Sequence, residues 1–243
     1  MNKLLNRDVF VVNRCETQGA PLTQVVIAAL NEQEGIGLTI TELFDVLDNP
    51  HVLVVDGRSN DRTIEVAKNL GAEIVVQDGK GKGDALAKSL AHLNSHVDYV
   101  VITDADHTYP AQYIPKMIDI LQKNPTVGMV CGNRFNGNVD PNALHDLFYF
   151  GNRIIAFTHN LLNGVPLRDP LSGLRVVRAE LLRNWKVKSK GFDVEVELNH
   201  RVEREGFSIM EVPIHYRERL GQKKLKVRHG AQILRRILLE TTY

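Results

Sequence analysis

Cysteine is scarce: the 243 residues hold only Cys15 and Cys131, with neither C-x-x-C spacing nor the numbers for a disulfide framework. A disulfide-stapled extracellular scaffold is excluded, both thiols are expected to be buried or incidental, and a reducing compartment fits. Long apolar runs are missing too. The longest, "VVIAAL" at residues 25–30, falls far short of the roughly eighteen residues that a membrane-spanning helix needs, so the chain is not expected to cross a bilayer by itself. The N-terminal "VFVV" is too short for a secretory signal, and Arg14 and Glu16 follow it closely. Neither sign of charge dominates. Lysine plus arginine number 30 against 29 acids, a net +1, which leaves no chain-wide field for a polyanion and makes nucleic acid an unexpected partner. Any basic function must be local. The nine histidines read as structural or solvated, so no zinc centre is expected. Linkers, internal repeats and low-complexity tracts are absent as well.

What is present is ample material for a core: 43% of residues are hydrophobic and 24% charged, the profile of a globular domain. After a polar lead of about twenty residues, β-branched runs alternate with helical patterns. "TQVVIAAL", "HVLVVD", "AEIVVQ", "VDYVVIT" and "VGMVCG" read as strands, and "GLTITELFDVLD", "DRTIEVAKNLG", "GDALAKSLAHL" and "PAQYIPKMIDILQK" as the intervening helices. A long helical stretch, "ALHDLFYFGNRIIAFTHNLLNG", follows, its aromatic part read as core with one exposed edge. Then come "LSGLRVVRAELL", helix "DVEVELNHRVEREG" and strand "FSIMEVPIHYR". The pattern predicts an α/β fold, a doubly wound and mostly parallel sheet with helices on both faces, as one domain with a core of about residues 22–227. Residues 228–243 add an amphipathic helix. Its Ile233, Leu234, Ile237 and Leu238 lie beside Arg235 and Arg236, which suits either a membrane interface or packing on the domain.

In open α/β sheets, ligands bind beyond the carboxyl ends of the strands. Asp56 ends the second strand, and Asp104 and Asp106, in "VITDADHTYP", end or follow the fourth. A D-x-D pair there suits Mg²⁺ or Mn²⁺ on a diphosphate, hydrogen bonds to sugar hydroxyls, or simple capping of the next helix. Asp61 reads as a helix N-cap. The loop "GKGKGDA" at 79–85 offers close backbone approach and lysine charge to a phosphate, or a flexible turn. It lacks the G-K-[ST] of a Walker loop and follows the third strand, where a Rossmann fingerprint would follow the first.

Taken together, these segments resemble the family 2 glycosyltransferases of the GT-A fold. Within that family they look like the polyprenyl-phosphate sugar synthases, dolichyl-phosphate mannose synthase among them, and most of all the archaeal dolichyl-phosphate hexosyltransferases. The likeness runs from about residue 25 to 225. It rests on "AALNE", "DGRSNDRT", "GKGDA", the D-x-D, "GNRF", "DPLSGLR", "GFDVEVEL" and "EVPIHYRERLGQKKL". Gly57 and Arg58 depart from the family's D-D-G-S, and Thr108 stands where mannose synthases carry a glutamine.

The resemblance implies a nucleotide site at Leu30, Asn31, Glu32, Asp56, Gly57, Lys82, Gly83, Asp104 and Ala105. It makes Asp106 the ligand of Mg²⁺ or Mn²⁺ and gives Asp104 the ribose or the sugar. Arg134, Arg175, Arg219 and Lys224 become the cations that bring two anionic phosphates together, and Asp169 orients one of them or contacts the sugar. The implied reaction moves a hexose from UDP-glucose, UDP-N-acetylglucosamine or GDP-mannose to dolichyl or another polyprenyl phosphate, with inversion. It would feed protein N-glycosylation from the cytoplasmic face of a membrane on which the enzyme sits peripherally. A non-lipid acceptor and a non-catalytic sugar-nucleotide-binding subunit remain alternatives. A nucleotidyltransferase would need a G-x-G-T-R-type loop where this chain has "AALNEQEG".

Overall fold

The computed structural model describes residues 21–135, 156, 158, 160, 167–222, 224 and 227–241. Cys15, the polar lead and nearly all of the aromatic helical stretch lie outside the described residues. Seven strands form one sheet: β1 (Thr23–Ala29), β2 (His51–Asp56), β3 (Glu73–Val76), β4 (Tyr99–Asp104), β5 (Val127–Asn133), β6 (Arg175–Arg178) and β7 (Ser208–Pro213). The helices are α1 (Ile36–Val46), α2 (Thr63–Asn69), α3 (Lys82–Leu90), α4 (Ile114–Lys123), the single turn α5 (Ala179–Leu182), α6 (Val194–Arg204) and α7 (Val227–Thr241).

The strand order is β3-β2-β1-β4-β6-β5-β7, with β6 antiparallel to both of its neighbours and every other pairing parallel. A parallel sheet covered on both faces explains why the strands read as near-continuous apolar runs. Alternate residues supply separate layers. Val25, Ile27 and Ala29 join Ile36 and Ile40 of α1 and Met117 and Leu121 of α4 on one face. Val26, Leu53 and Val55 join Leu86 of α3 and Leu198 of α6 on the other. Each such buried side chain contributes about 1.5–3 kcal/mol before entropy is counted.

Two segments differ from the sequence expectation or complete it. The helix expected to open at Pro110 is instead a 3₁₀ turn, Ala111–Tyr113, that leads into α4 at Ile114. Pro115 has no N–H to donate, so it is accommodated in the first turn of an α-helix and not further along one. Residues 171–182, whose element the sequence pattern leaves open, supply β6 and α5.

This topology builds one rim. Because β6 runs against the rest, its amino end lies beside the carboxyl ends of β1, β2, β4, β5 and β7. Residues as distant as 30, 56, 104, 134, 173 and 216 therefore converge. Further along, α7 packs on α6 through Ile233 and Ile237 against Val196. Arg236 pairs with Asp193 at 3.2 Å and Arg204 with Glu240 at 2.8 Å.

Candidate active site

Asp104 closes β4 opposite Ala28, and the chain then turns through Ala105 and Asp106. Two glycines make that turn possible. A Cβ on Gly35, at the start of α1, would lie 2.7 Å from the Ala105 carbonyl oxygen, and one on Gly173 would overlap the Asp104 carboxylate. Lys82 donates to Asp104 Oδ1 at 2.6 Å and pairs with Glu195 at 2.8 Å. Desolvation in the cleft opposes Asp104's charge, but the charge and hydrogen bond of Lys82 outweigh it, helped by Arg219 and Arg134. The Asp104 carboxyl is held below its ordinary value. Asp106 goes the other way, raised by burial and then by the neighbouring Asp104 charge against Arg219 and Thr108. Thr108 donates its hydroxyl to Asp106 Oδ1 at 2.6 Å, and Arg219 pairs with Oδ2 at 2.8 Å.

The turn after β1 is held from the β2–α2 loop. Asn31, at φ 51°, donates its amide to Ser59 Oγ at 2.8 Å, and the Glu32 amide donates to Thr63 Oγ1 at 2.8 Å. Asp56 is fully buried and receives the Ser59 amide and hydroxyl at 2.8 and 2.5 Å, so its carboxylate shapes this loop. Asp61, expected as the helix N-cap, lies one residue before it: Arg62 holds the N-cap position, and Asp61 receives the Thr63 amide at 3.0 Å in the turn that precedes the helix. Arg58, at φ 65°, reaches across to the carbonyls of Asp78 and Gly79 and ties the two loops together.

The glycine-lysine loop lines the cleft with Gly81 and Lys82 and also packs on protein backbone. Gly83 donates its amide to the Lys190 carbonyl at 3.1 Å, and a Cβ on Gly81 or Gly83 would strike the backbone of residues 189–190. Its glycines bring two pieces of protein backbone together, and Lys82 alone of the loop's lysines turns to the D-x-D acids.

Residues 214–222, together with Lys224, cross the rim as a strap. Arg217 and Leu220 donate their amides to the carbonyls of Thr108 and Asp106 at 3.1 and 3.2 Å. Arg217 also pairs with Glu42 of α1 at 2.8 Å, with His107 3.0 Å from the same carboxylate. The strap delivers Arg219 to Glu32 as well as to Asp106, and Lys224 to Glu32 at 2.7 Å. Glu32 is 6% exposed. Burial pushes its carboxyl up to about 7, against the lowering effect of Lys224 and Arg219.

Arg134 and Asp169 meet in a two-pronged pair, Nε to Oδ2 at 2.7 Å and Nη2 to Oδ1 at 2.6 Å. The guanidinium lies 5.4 Å from the ring centroid of Tyr216. Glu211 fixes the Asp169 loop by accepting the Arg168 and Asp169 amides at 2.9 and 2.7 Å. Arg175 departs from its expected place among the phosphate cations. It is 1% exposed and donates to the carbonyls of Ser172 and Pro170 and to Asn199 Oδ1, which makes it a framework cation under the rim.

Between these groups lies a cleft with a cavity volume of about 330 Å³. Leu30, Gly57 and Gln77 line one side, and Lys82, Asp104, Ala105, Asp106 and Glu32 line it together with Arg219 and Lys224. Phe192 and His229 of α7, whose rings sit 5.2 Å apart, also line it. Gln77, Glu195, Phe192 and His229 were not singled out from the sequence. Gln77 ends its strand run as Asp56 and Asp104 do, so the strand-end rule that found those acids could have found it. Glu195 lies within "GFDVEVEL".

A doubly wound sheet that carries D-x-D over a nucleotide-sized cleft defines a GT-A glycosyltransferase. A family model described as glycosyl transferase family 2 matches residues 24–185. A dolichyl-phosphate hexose transferase of Haloferax volcanii is 34% identical over 204 residues, covering 83% of this chain and 85% of that protein. The glycosyltransferase AglJ of the same organism is 34% identical over 194 residues, 79% of this chain but 62% of that longer relative. The fold matches glucosyl-3-phosphoglycerate synthase from Mycobacterium tuberculosis, solved with Mn²⁺, UDP-glucose and glycerol 3-phosphate. The TM-score is 0.73 at 23% identity, over 91% of this chain and 80% of that one. The chain belongs to glycosyl transferase family 2 and is an enzyme that transfers a sugar.

Proposed function

We propose that the enzyme moves a hexose from a nucleoside-diphosphate sugar to dolichyl or another polyprenyl phosphate, with inversion at the anomeric carbon. The observation that carries this is the meeting of an acid pair, Asp104 and Asp106, with Lys82, Arg219 and Lys224 on one cleft. A reaction between two anionic phosphates requires such an arrangement, because the cations must offset repulsion before the reacting atoms can meet. The archaeal relative named for dolichyl-phosphate hexose transfer supports the acceptor.

In this proposal Leu30, Gly57 and Gln77 face the nucleoside, and Asn31 and Asp56 set the turn behind it. Lys82, oriented by Glu195, neutralises Asp104 where the donor's sugar and ribose would lie. Arg134, fixed by Asp169, and the strap cations Arg219 and Lys224 receive the acceptor phosphate. That phosphate is largely dianionic near neutral pH, its second pKa being roughly 6, so no strong general base is required.

A divalent ion, Mg²⁺ or Mn²⁺, fits beside Asp106. The Arg219 guanidinium already stands in for a cation on that carboxylate at 2.8 Å. Among the described residues no group of three or more His, Cys, Asp or Glu is arranged to hold a metal. One carboxylate, completed by diphosphate oxygens and water, is a donor set that hard cations accept. When bound, the ion would offset charge on the departing nucleoside diphosphate.

Cations recognise a phosphate whatever carries it; what favours a lipid is α7. Its Leu238 and Leu239 are 56% and 41% exposed beside Arg235. They lie nine or ten residues from His229 of the cleft, about 14 Å along a helix axis. No helix among the described residues is long and apolar enough to cross a membrane. We therefore place the enzyme peripherally on a bilayer, at its cytoplasmic face, in lipid-linked glycan assembly of the kind that feeds N-glycosylation. Asp106→Ala tests the site: transfer should fall about a hundredfold or more, and Mn²⁺ should no longer tighten UDP binding in calorimetry. Full activity in that variant would remove Asp106 from the mechanism.

A further inference from the structure

Glu32, expected to contact the nucleotide, lines the cleft, and its side chain also engages the strap. Its backbone is secured without it: the amide donates to Thr63 Oγ1, and the carbonyl receives the amides of Gly35 and Ile36 at 3.1 and 2.9 Å. The carboxylate points to the strap. Oε1 accepts from Lys224 Nζ at 2.7 Å and from Arg219 Nη2, while Lys224 also donates to the Asn31 carbonyl at 2.7 Å. Arg219 thereby bridges two carboxylates, Glu32 through Nη2 and Asp106 through Nη1. Glu32 Oε2 and Arg219 Nε are both buried and have no hydrogen-bond partner among the described residues.

We propose that Glu32 is a positioning residue for the acceptor-binding cations. It holds Arg219 and Lys224 over the D-x-D pair, so that the guanidinium would stay in place for the acceptor phosphate if Asp106 held a divalent ion instead of Arg219. The inference rests on the polyprenyl-phosphate reading above. Its physical basis is the unequal standing of the two carboxylates. Asp106 is the one that would take a hard cation, whereas Glu32, already carrying an arginine and a lysine, is the one that can keep them. Without it, two long flexible side chains would have to be ordered by the phosphate itself, at a cost in acceptor affinity. An unanchored Arg219 would also settle on Asp106 and compete with the metal.

Glu32→Gln keeps the shape and an acceptor oxygen and removes the charge. The expected result is a KM for polyprenyl phosphate raised about tenfold or more, with UDP affinity in a chelator, read by calorimetry, changed by less than about twofold. The apparent Mn²⁺ requirement should rise. Because Glu32 acts through Arg219 and Lys224, adding Glu32→Gln to a variant that already carries Arg219→Gln and Lys224→Met should cost less than about twofold further, so the effects do not multiply. An unchanged acceptor KM would overturn the role. So would a loss of UDP affinity as large as the change in KM, which would make Glu32 a nucleotide ligand, and so would multiplying effects when Glu32→Gln is added to the Arg219→Gln, Lys224→Met background. Should Glu32→Gln not fold, Lys224→Met serves: a raised acceptor KM with UDP affinity intact supports the clamp, and an unchanged KM overturns it. A wild-type enzyme inactive on every polyprenyl phosphate would sink the acceptor reading itself. An active wild type with an unaffected Glu32→Gln variant would sink this inference alone.

Discussion

Asp169 has both carboxylate oxygens on Arg134, and its side chain is completely buried while that of Arg134 is 14% exposed. Removing one partner of a buried pair leaves the other charge without compensation, at about 3–5 kcal/mol. Asp169→Asn should therefore lower the thermal midpoint measurably and reduce transfer more than UDP binding. A variant with the wild-type midpoint and acceptor KM would contradict this role. The resemblance left Asp169 either to orient one of the arginines or to contact the sugar, and its pair with Arg134 is of the first kind. Arg175, from the motif "DPLSGLR", was not legible in the same way. Strand residues alternate between faces, and only the antiparallel register of β6, Val101 opposite Val176 and Cys131 opposite Arg175, turns its guanidinium to Ser172, Pro170 and Asn199. A motif records that an arginine is present and not the face it takes.

At the scale of elements, the parallel strands were visible as β-branched runs, because burial on both faces demands them. The rim followed from the strand-end rule. The strap at 214–222 and 224 was visible only as a motif: its attachment joins residues more than a hundred positions apart, through Arg217 to Thr108 and Leu220 to Asp106. No local period encodes such a contact. The α7 helix takes the packing reading of its pattern through Ile233 and Ile237, buried on α6, and leaves Leu238 and Leu239 exposed. Replacing both outward leucines by glutamine should weaken binding to anionic vesicles about tenfold or more, since each leucine inserted contributes up to about 1.5–3 kcal/mol. Activity on a short, water-soluble polyprenyl phosphate should persist. Equal vesicle binding by the double variant would move the membrane surface elsewhere.

For the molecule as a whole, the near-neutral net charge conceals a local arrangement. Acids from β4 and the β1–α1 turn face cations from the α3 loop and the strap, and the doubly wound topology brings all four segments to one rim. The central claim is that this rim joins a metal-bound nucleotide sugar to a lipid phosphate. The most direct test is transfer of radiolabel from UDP-glucose, UDP-N-acetylglucosamine and GDP-mannose to dolichyl phosphate, with Mn²⁺ or Mg²⁺ and with a chelator. An organic-extractable product from one donor, lost in the chelator, is the predicted result. Metal-dependent UDP binding with no lipid product from any donor would contradict it.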